Sequence, residues 1–162
     1  MKVRDIMKAH PICCKATANL GLAVEMMWTH DCGFLPVLGP QRELCGVITD
    51  RDICIALGTR NVLASQLHVA DVAATKVHFC KPDDEIHEAL QIMAENRVRR
   101  LPAVGENNTV EGVLSMDDVI SHGDFATWQG CCELSSEEIV RSLKRLYGKV
   151  PALHQHRSQA AA

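Results

Sequence analysis

Two four-residue stretches gather hydroxyl and carboxylate side chains: Thr49-Asp50-Arg51-Asp52 and Ser115-Met116-Asp117-Asp118. Each follows a glycine and two apolar residues, Gly46-Val47-Ile48 and Gly112-Val113-Leu114. That order reads as a strand ending and a helix beginning. Ser, Thr and Asp have two uses at such a junction. They cap the new helix by accepting hydrogen bonds from its free backbone N–H groups. They can also hold a ligand: an ionised carboxylate accepts charge-assisted hydrogen bonds from hydroxyls, and a helix N-terminus attracts an anion. Breaking a bond needs more machinery. The chain carries no nucleophile–base constellation, no Gly-rich phosphate loop and no H-E-x-x-H. The cluster suits holding better than chemistry, and the chain reads as a non-enzyme.

The two stretches are copies of one another within an internal repeat. Leu35-Pro36-Val37 returns as Leu101-Pro102-Ala103, Gly46 as Gly112, and Val3-Arg4-Asp5-Ile6 as Val69-Ala70-Asp71-Val72, always 66 positions on. No gap is needed between residues 3–58 and 69–124. Cys14 and Cys80, Lys15 and Lys81, Ala23 and Ala89, Met27 and Met93, and Asp52 and Asp118 coincide.

Each copy reads as β-α-β-β-α. A short apolar run (12–14, 78–80) leads into a helix. In the second copy Ile86, Leu90, Met93 and Ala94 share one face of that helix; Leu20, Val24, Met27 and Trp28 hold the same positions in the first. Pro82 and Asp83 signal the second copy's helix start, with Asp84 and Glu85 in its first turn. Two strands follow, joined by the short turns "GPQRE" and "GENNT", so they are expected to pair as a hairpin. A second helix begins near Asp50 and near Met116. The leading residues 3–6 and 69–72 read as short helical turns packed on the neighbouring copy. A unit of about 55 residues buries too little surface to stand alone. The copies are therefore expected to pack face to face, sheet on sheet, with approximate two-fold symmetry and two clefts between them. The fold class is α/β of the α+β kind. Repeat one spans 1–60, repeat two 61–124, and a C-terminal helix with a flexible tail 125–162. That helix starts with a capping box, Ser135 to Glu138, and carries an apolar stripe of Ile139, Leu143, Leu146 and Tyr147. It reads as an ordinary packing element.

Apolar residues make up 47% of the 162-residue chain and aromatics only 4%, so aliphatic side chains must fill the core. A net charge of −3 argues against broad binding to nucleic acid or an anionic membrane surface. The N-terminus has no signal-peptide pattern and no run is long enough to span a bilayer, so a cytoplasmic location is expected. The eight cysteines are then free thiols. Six sit in apolar or periodic segments and are expected to act as small hydrophobes. A soft-metal or redox site remains open, from His10 with Cys13 and Cys14, or His122 with Cys131 and Cys132, although no spacing is specific.

The duplicated β-α-β-β-α unit, "LPV" and "LPA" in its second strand, and "GVITDRDI" and "GVLSMDDV" at its last junction resemble a tandem pair of CBS domains, or Bateman module, over residues 1 to about 124. The resemblance is to the stand-alone bacterial type. It implies a regulatory module with no required cofactor. Its ligand would be an adenosine compound: AMP, ADP, ATP, S-adenosylmethionine or NAD. It implies a homodimer and an unidentified regulated protein. On this resemblance Asp52 and Asp118 hold ribose, and Thr49 and Ser115 lie near the α-phosphate, with Arg51 beside the first pair. Adenine sits among Ile12, Cys13, Ala16, Leu35 and Pro36 in one repeat, or His78, Phe79, Pro82, Leu101 and Pro102 in the other. Arg99 and Arg100 contact phosphate. Gly33 and Phe34 stand in their place in the first repeat, and Met116-Asp117 replaces Asp50-Arg51, so the two clefts are not expected to be equivalent. A ligand-free dimerisation module is the other open reading.

Overall fold

A computed structural model describes residues 1–126 and 134–148. The first repeat contains α1 (Val3–Ile6), β1 (Lys8–Ala9), β2 (Cys14–Lys15), α2 (Leu20–Thr29), β3 (Phe34–Leu38), β4 (Leu44–Thr49) and α3 (Asp50–Arg60). The second contains a 3-10 turn at Val69–Asp71, α4 (Ile86–Asn96), β5 (Arg100–Val104), β6 (Val110–Ser115) and α5 (Met116–Ala126). A last helix, α6, runs Ser136–Tyr147. The strands form two three-stranded sheets, in the orders β2-β3-β4 and β1-β6-β5. Both expected hairpins form in the same register: Phe34 pairs with Thr49 and Arg100 with Ser115.

The repeats are joined by exchanging their leading segments. β1 leaves its own repeat and pairs with β6, Lys8 opposite Val113. The same exchange occurs 66 positions on, where Ala74 bridges Val47 of β4 through bonds of 2.9 and 3.0 Å. Lys2 bridges Glu85, and its counterpart His68 bridges Asn19. At the hairpin tips Glu43 bridges Thr109, and the Asn108 side chain donates to the Leu44 carbonyl at 3.0 Å. The apolar cores obey the same exchange. Val69, from the second repeat, is buried with Leu20, Leu35, Ile48 and Ile53; Val3, from the first, is buried with Ile86, Leu101, Leu114 and Val119. The small residues at 46 and 112 permit the crossing. A Cβ on Gly46 would come within 3.1 Å of the Ala74 carbonyl oxygen, and one on Gly112 would collide with the Met7 side chain.

Several expectations need correction. The first strand of the second repeat shrinks to one bridge, Cys80 with Ala103. In the first repeat the Ala16 N–H continues the ladder to the Leu38 carbonyl at 3.0 Å. Its counterpart is Pro82, which has no N–H to give. α4 begins at Ile86, with Glu85 as its N-cap rather than in its first turn. The two first helices are not equally covered. Leu90 is 3% exposed, whereas its counterpart Val24 is 44% exposed and Trp28 is 87% exposed. The reason is α6, whose Ile139 and Leu146, with Leu134, are buried over α4 and α5. Tyr147 leaves the stripe and is exposed. Of the six cysteines among the described residues, only Cys14 and Cys80 behave as core residues; Cys45 and Cys54 are exposed, and Cys13 and Cys32 are intermediate. Cys131, Cys132 and the expected flexible tail lie outside the described residues.

The glycine contacts give a paired test. Gly46→Val drives a branched side chain against the backbone of the exchanged segment and is expected to cost about 1–3 kcal/mol. Gly58, inside α3 with nothing within 4 Å of its would-be Cβ, is the control: Gly58→Ala should stabilise by about 0.5–1 kcal/mol. Urea unfolding of both variants measures the pair.

Candidate functional site

Each hydroxyl–carboxylate cluster forms where a strand runs directly into a helix. Thr49 ends β4 and Asp52 lies in the first turn of α3. The Thr49 hydroxyl donates to Asp52 Oδ2 at 2.6 Å, and the Thr49 N–H donates to the same oxygen at 3.0 Å. The Asp52 N–H donates back to the Thr49 hydroxyl at 3.2 Å. Ser115 and Asp118 repeat this arrangement, with bonds of 2.6, 2.8 and 3.1 Å. These are reciprocal caps, so both clusters stabilise helix starts. All the bonds use Oδ2. Oδ1 of Asp52 and Oδ1 of Asp118 have no hydrogen-bond partner among the described residues. One oxygen of each carboxylate is thus committed to the fold and the other is open to a ligand.

Asp52 lies in a crevice of about 220 Å³ walled by Ile55, Ala56, Thr59 and Arg60 of α3 and by Val72, which the exchange brings from the second repeat. That volume falls short of the roughly 300–1,000 Å³ of small-molecule pockets, so it seats part of a ligand and leaves the rest outside. Arg60 is the residue the sequence reading missed. Its Nη2 donates to the Asp71 carbonyl at 3.1 Å, which fixes the guanidinium at the crevice and leaves four N–H donors. The signal was available in helical spacing: positions 52, 56, 59 and 60 share one face. Its counterpart in the second repeat is Ala126, which carries no charge.

The other expected residues divide. Arg51 is exposed in the first turn of α3, its N–H donating to Asp50 Oδ1 at 2.7 Å. Arg99 is exposed. Arg100 stands on β5 opposite Ser115, and its guanidinium is 3.9 Å from the Asp117 carboxylate. It therefore adjoins the second cluster, where it already has an anion beside it. Leu35 and Leu101 are completely buried in the two cores and offer no surface to an adenine ring. Pro36, Pro82 and Pro102 are buried as well. The backbone of Ala16 is fully used, donating to Leu38 and accepting from Ala70. Ile12, Cys13, His78 and Phe79 remain available. Ile12 and Phe79 are exposed apolar side chains, and none of these four makes a backbone–backbone hydrogen bond with the described residues.

Among the described residues no three His, Cys, Asp or Glu side chains gather closely enough to hold a metal. His10, Cys13 and Cys14 are thus not gathered into a three-ligand cluster. His122 instead places Nδ1 2.9 Å from the Asp118 carbonyl oxygen. Burial pushes the thiols of Cys14 and Cys80 up to about 12, and like charge from neighbouring groups adds to the shift. Burial also raises Cys13, and burial with the nearby Glu43 raises Cys45. None of these thiols is activated.

The CBS domain family model matches residues 3–59 and 69–123, the two repeats just described. The chain belongs to the CBS domain family. It is 32% identical over 119 residues to hypoxic response protein 1 of Mycobacterium tuberculosis, covering 74% of this chain and 82% of that one. It is 32% identical over 117 residues to the CBS domain-containing protein YhcV of Bacillus subtilis, covering 72% and 81%. Inosine-5'-monophosphate dehydrogenase of Methanocaldococcus jannaschii matches at 30%, but over only 23% of its length. A crystal structure of hypoxic response protein I with two coordinated zinc ions superposes with a TM-score of 0.69 at 30% identity, over 75% of this chain and 98% of that one. The CBS domain pair of protein MJ0100, in complex with 5'-methylthioadenosine and S-adenosyl-L-methionine, superposes with a TM-score of 0.70 at 20% identity, over 80% and 98%. The fold is that of a CBS pair, and such pairs are regulatory modules. No described helix is long and apolar enough to cross a membrane.

The thiols supply a test of the packing around the site. In the native protein at mild alkaline pH, iodoacetamide followed by peptide mapping should modify Cys54 quickly and leave Cys14 and Cys80 intact. Both buried thiols titrate above their ordinary value of 9.0. Their stabilising contribution is therefore complete below pH 9 and is lost as pH rises toward 12, when the unfolded chain ionises first. The alkaline fall in melting temperature should be shallower in Cys80→Ala.

Proposed function

We propose that this CBS pair is a sensor that binds an adenosine-containing ligand at the Asp52 crevice and regulates a separate protein through that binding. The observation that carries the reading is the open Oδ1 of Asp52, in a crevice with walls from both repeats. A carboxylate oxygen there can accept from the adjacent hydroxyls of a ribose. Arg60 adds spare donors suited to a phosphate, and the N-terminus of α3, with Arg51 and Thr49, favours an anion nearby. Ile12 and Cys13 or His78 and Phe79 offer apolar surface and unpaired backbone groups for the base. MJ0100, whose CBS pair was crystallised with methylthioadenosine and S-adenosyl-L-methionine, lends support from the same fold. The Asp118 cluster is the weaker site on this reading. It lacks the counterpart of Arg60, and Asp117 competes with any phosphate for Arg100.

Thermal melting with AMP, ADP, ATP, S-adenosylmethionine, methylthioadenosine and NAD tests this. A ligand at 100 times its Kd adds about 2.7 kcal/mol to the folded state and raises Tm visibly. Asp52→Asn keeps a side-chain oxygen for the cap while removing the charge, and should abolish the shift with little loss of basal stability. Asp52→Ala should also cost about 1 kcal/mol because the cap is lost. Arg60→Gln should weaken phosphate-bearing ligands and leave methylthioadenosine unaffected. Adenosine compounds that move no melting curve would refute the proposal.

A further inference from the structure

Two thiols share one groove of the first repeat. Between α2 and α3 lies a hollow of about 490 Å³, and Cys32 and Cys54 both line it, together with Trp28, Asp31, Gly33 and Asp50. The two cysteines come from different elements. Cys32 stands in the turn between α2 and β3, its N–H donating to the Met27 carbonyl at 3.0 Å. Cys54 lies in the second turn of α3. The backbone draws these segments together. The Asp50 N–H donates to the Gly33 carbonyl at 3.3 Å, and a Cβ on Gly33 would come within 2.7 Å of Asp50 Oδ2. Cys32 is the residue before Gly33, and Cys54 is at i+4 from Asp50, on the same face of α3. Helical side chains tilt toward the N-terminus, which carries Cys54 back over the Asp50 turn and toward the segment holding Cys32.

The fold does not ask for sulfur at either position. The counterparts 66 positions on are Val98 and Ile120, so the thiol pair belongs to the first repeat alone. The other described cysteines are placed differently. Cys14 and Cys80 are buried, with thiols that burial pushes up to about 12, and burial also raises Cys13 and Cys45. Cys54 is exposed and Cys32 partly buried, so a reagent in solution meets the first and the second lies behind it. We propose that Cys32 and Cys54 are a dithiol–disulfide pair, an oxidation site that ties the start of α3 to the end of α2. The oxidant is a low-molecular-weight disulfide. The Cys54 thiolate attacks one of its sulfurs, so that a mixed disulfide forms and one small thiol leaves. The Cys32 thiolate then attacks the Cys54 sulfur, the mixed S–S bond breaks, the Cys32–Cys54 bond forms, and the second small thiol leaves. The protein gives up two electrons and two protons, and the small disulfide takes them as two thiols. In a reducing compartment such a bond is transient and regulatory rather than structural. The clamp acts on the helix start that carries Thr49 and Asp52, but from another face of α3 than the one lining the Asp52 crevice. It is independent of which ligand Asp52 takes.

Oxidised glutathione is the probe. The native full chain is incubated with it, remaining thiols are blocked with iodoacetamide, and peptides are mapped without reduction. The expected product joins Cys32 to Cys54 within one chain and is reversed by dithiothreitol. In Cys32→Ser the glutathione adduct on Cys54 should persist instead of resolving. Cys54→Ser, a change at an exposed position that leaves the fold intact, should also lose the link. In a Trp128→Phe background, oxidation should quench the emission of Trp28, which lines the same groove, and neither serine variant should show the quenching. Hydrogen exchange of the backbone amides of residues 50–54 should slow in the oxidised protein. A wild type that keeps glutathione on Cys54 without joining Cys32 would overturn the proposal. So would a link made only to another cysteine or between chains, or a Cys32–Cys54 link that leaves exchange in α3 unchanged. Because no nucleotide is present, these outcomes leave the thermal-shift experiment unaffected.

Discussion

The crossing of each repeat's leading segment into the other repeat is the interaction on which the architecture turns. It is a short stretch of backbone pairing, Lys8 with Val113 and Ala74 with Val47, made possible where Gly46 and Gly112 leave no side chain in the way. Two half-sized units that could not each bury a sufficient core become one body, because Val3 completes the second core and Val69 the first. The crevice at Asp52 is a by-product of the same crossing. Its far wall, Val72, belongs to the segment that crosses. A change that loosens the exchange would therefore loosen the site.

The double use of one carboxylate gives the site its economy. Asp52 starts α3 with Oδ2 and leaves Oδ1 without a partner among the described residues, the oxygen that the proposed function assigns to a ligand. A helix start built this way is rigid before anything binds, which lowers the ordering cost of binding. Of the two uses read from the sequence, capping is observed at Oδ2, and Oδ1 leaves the other use compatible with it.

Most of the architecture was legible because it was written twice. A gapless offset pointed to the order of elements, the two hairpins and both junctions, since an error in one copy would have been exposed by the other. What stayed hidden were properties of one copy alone. Helical periodicity marked Val24 and Trp28 as apolar-facing but could not say that only the second repeat owns a covering helix. Alternation along β3 and β5 did not reveal that Leu35 and Leu101 point wholly into the cores, away from any cleft. Arg60 lay at the end of α3, outside the motif, although its spacing from Asp52 placed it on the same face.

The shortened first strand of the second repeat makes the two halves mechanically unlike. Where Ala16 lends an amide hydrogen to its neighbour, Pro82 has none, and the pairing stops at Cys80. The segment after Cys80 is consequently held by one rung fewer than the segment after Cys14. The two crevice edges that the repeat makes alike in sequence therefore differ by one rung of backbone pairing, set by a single proline.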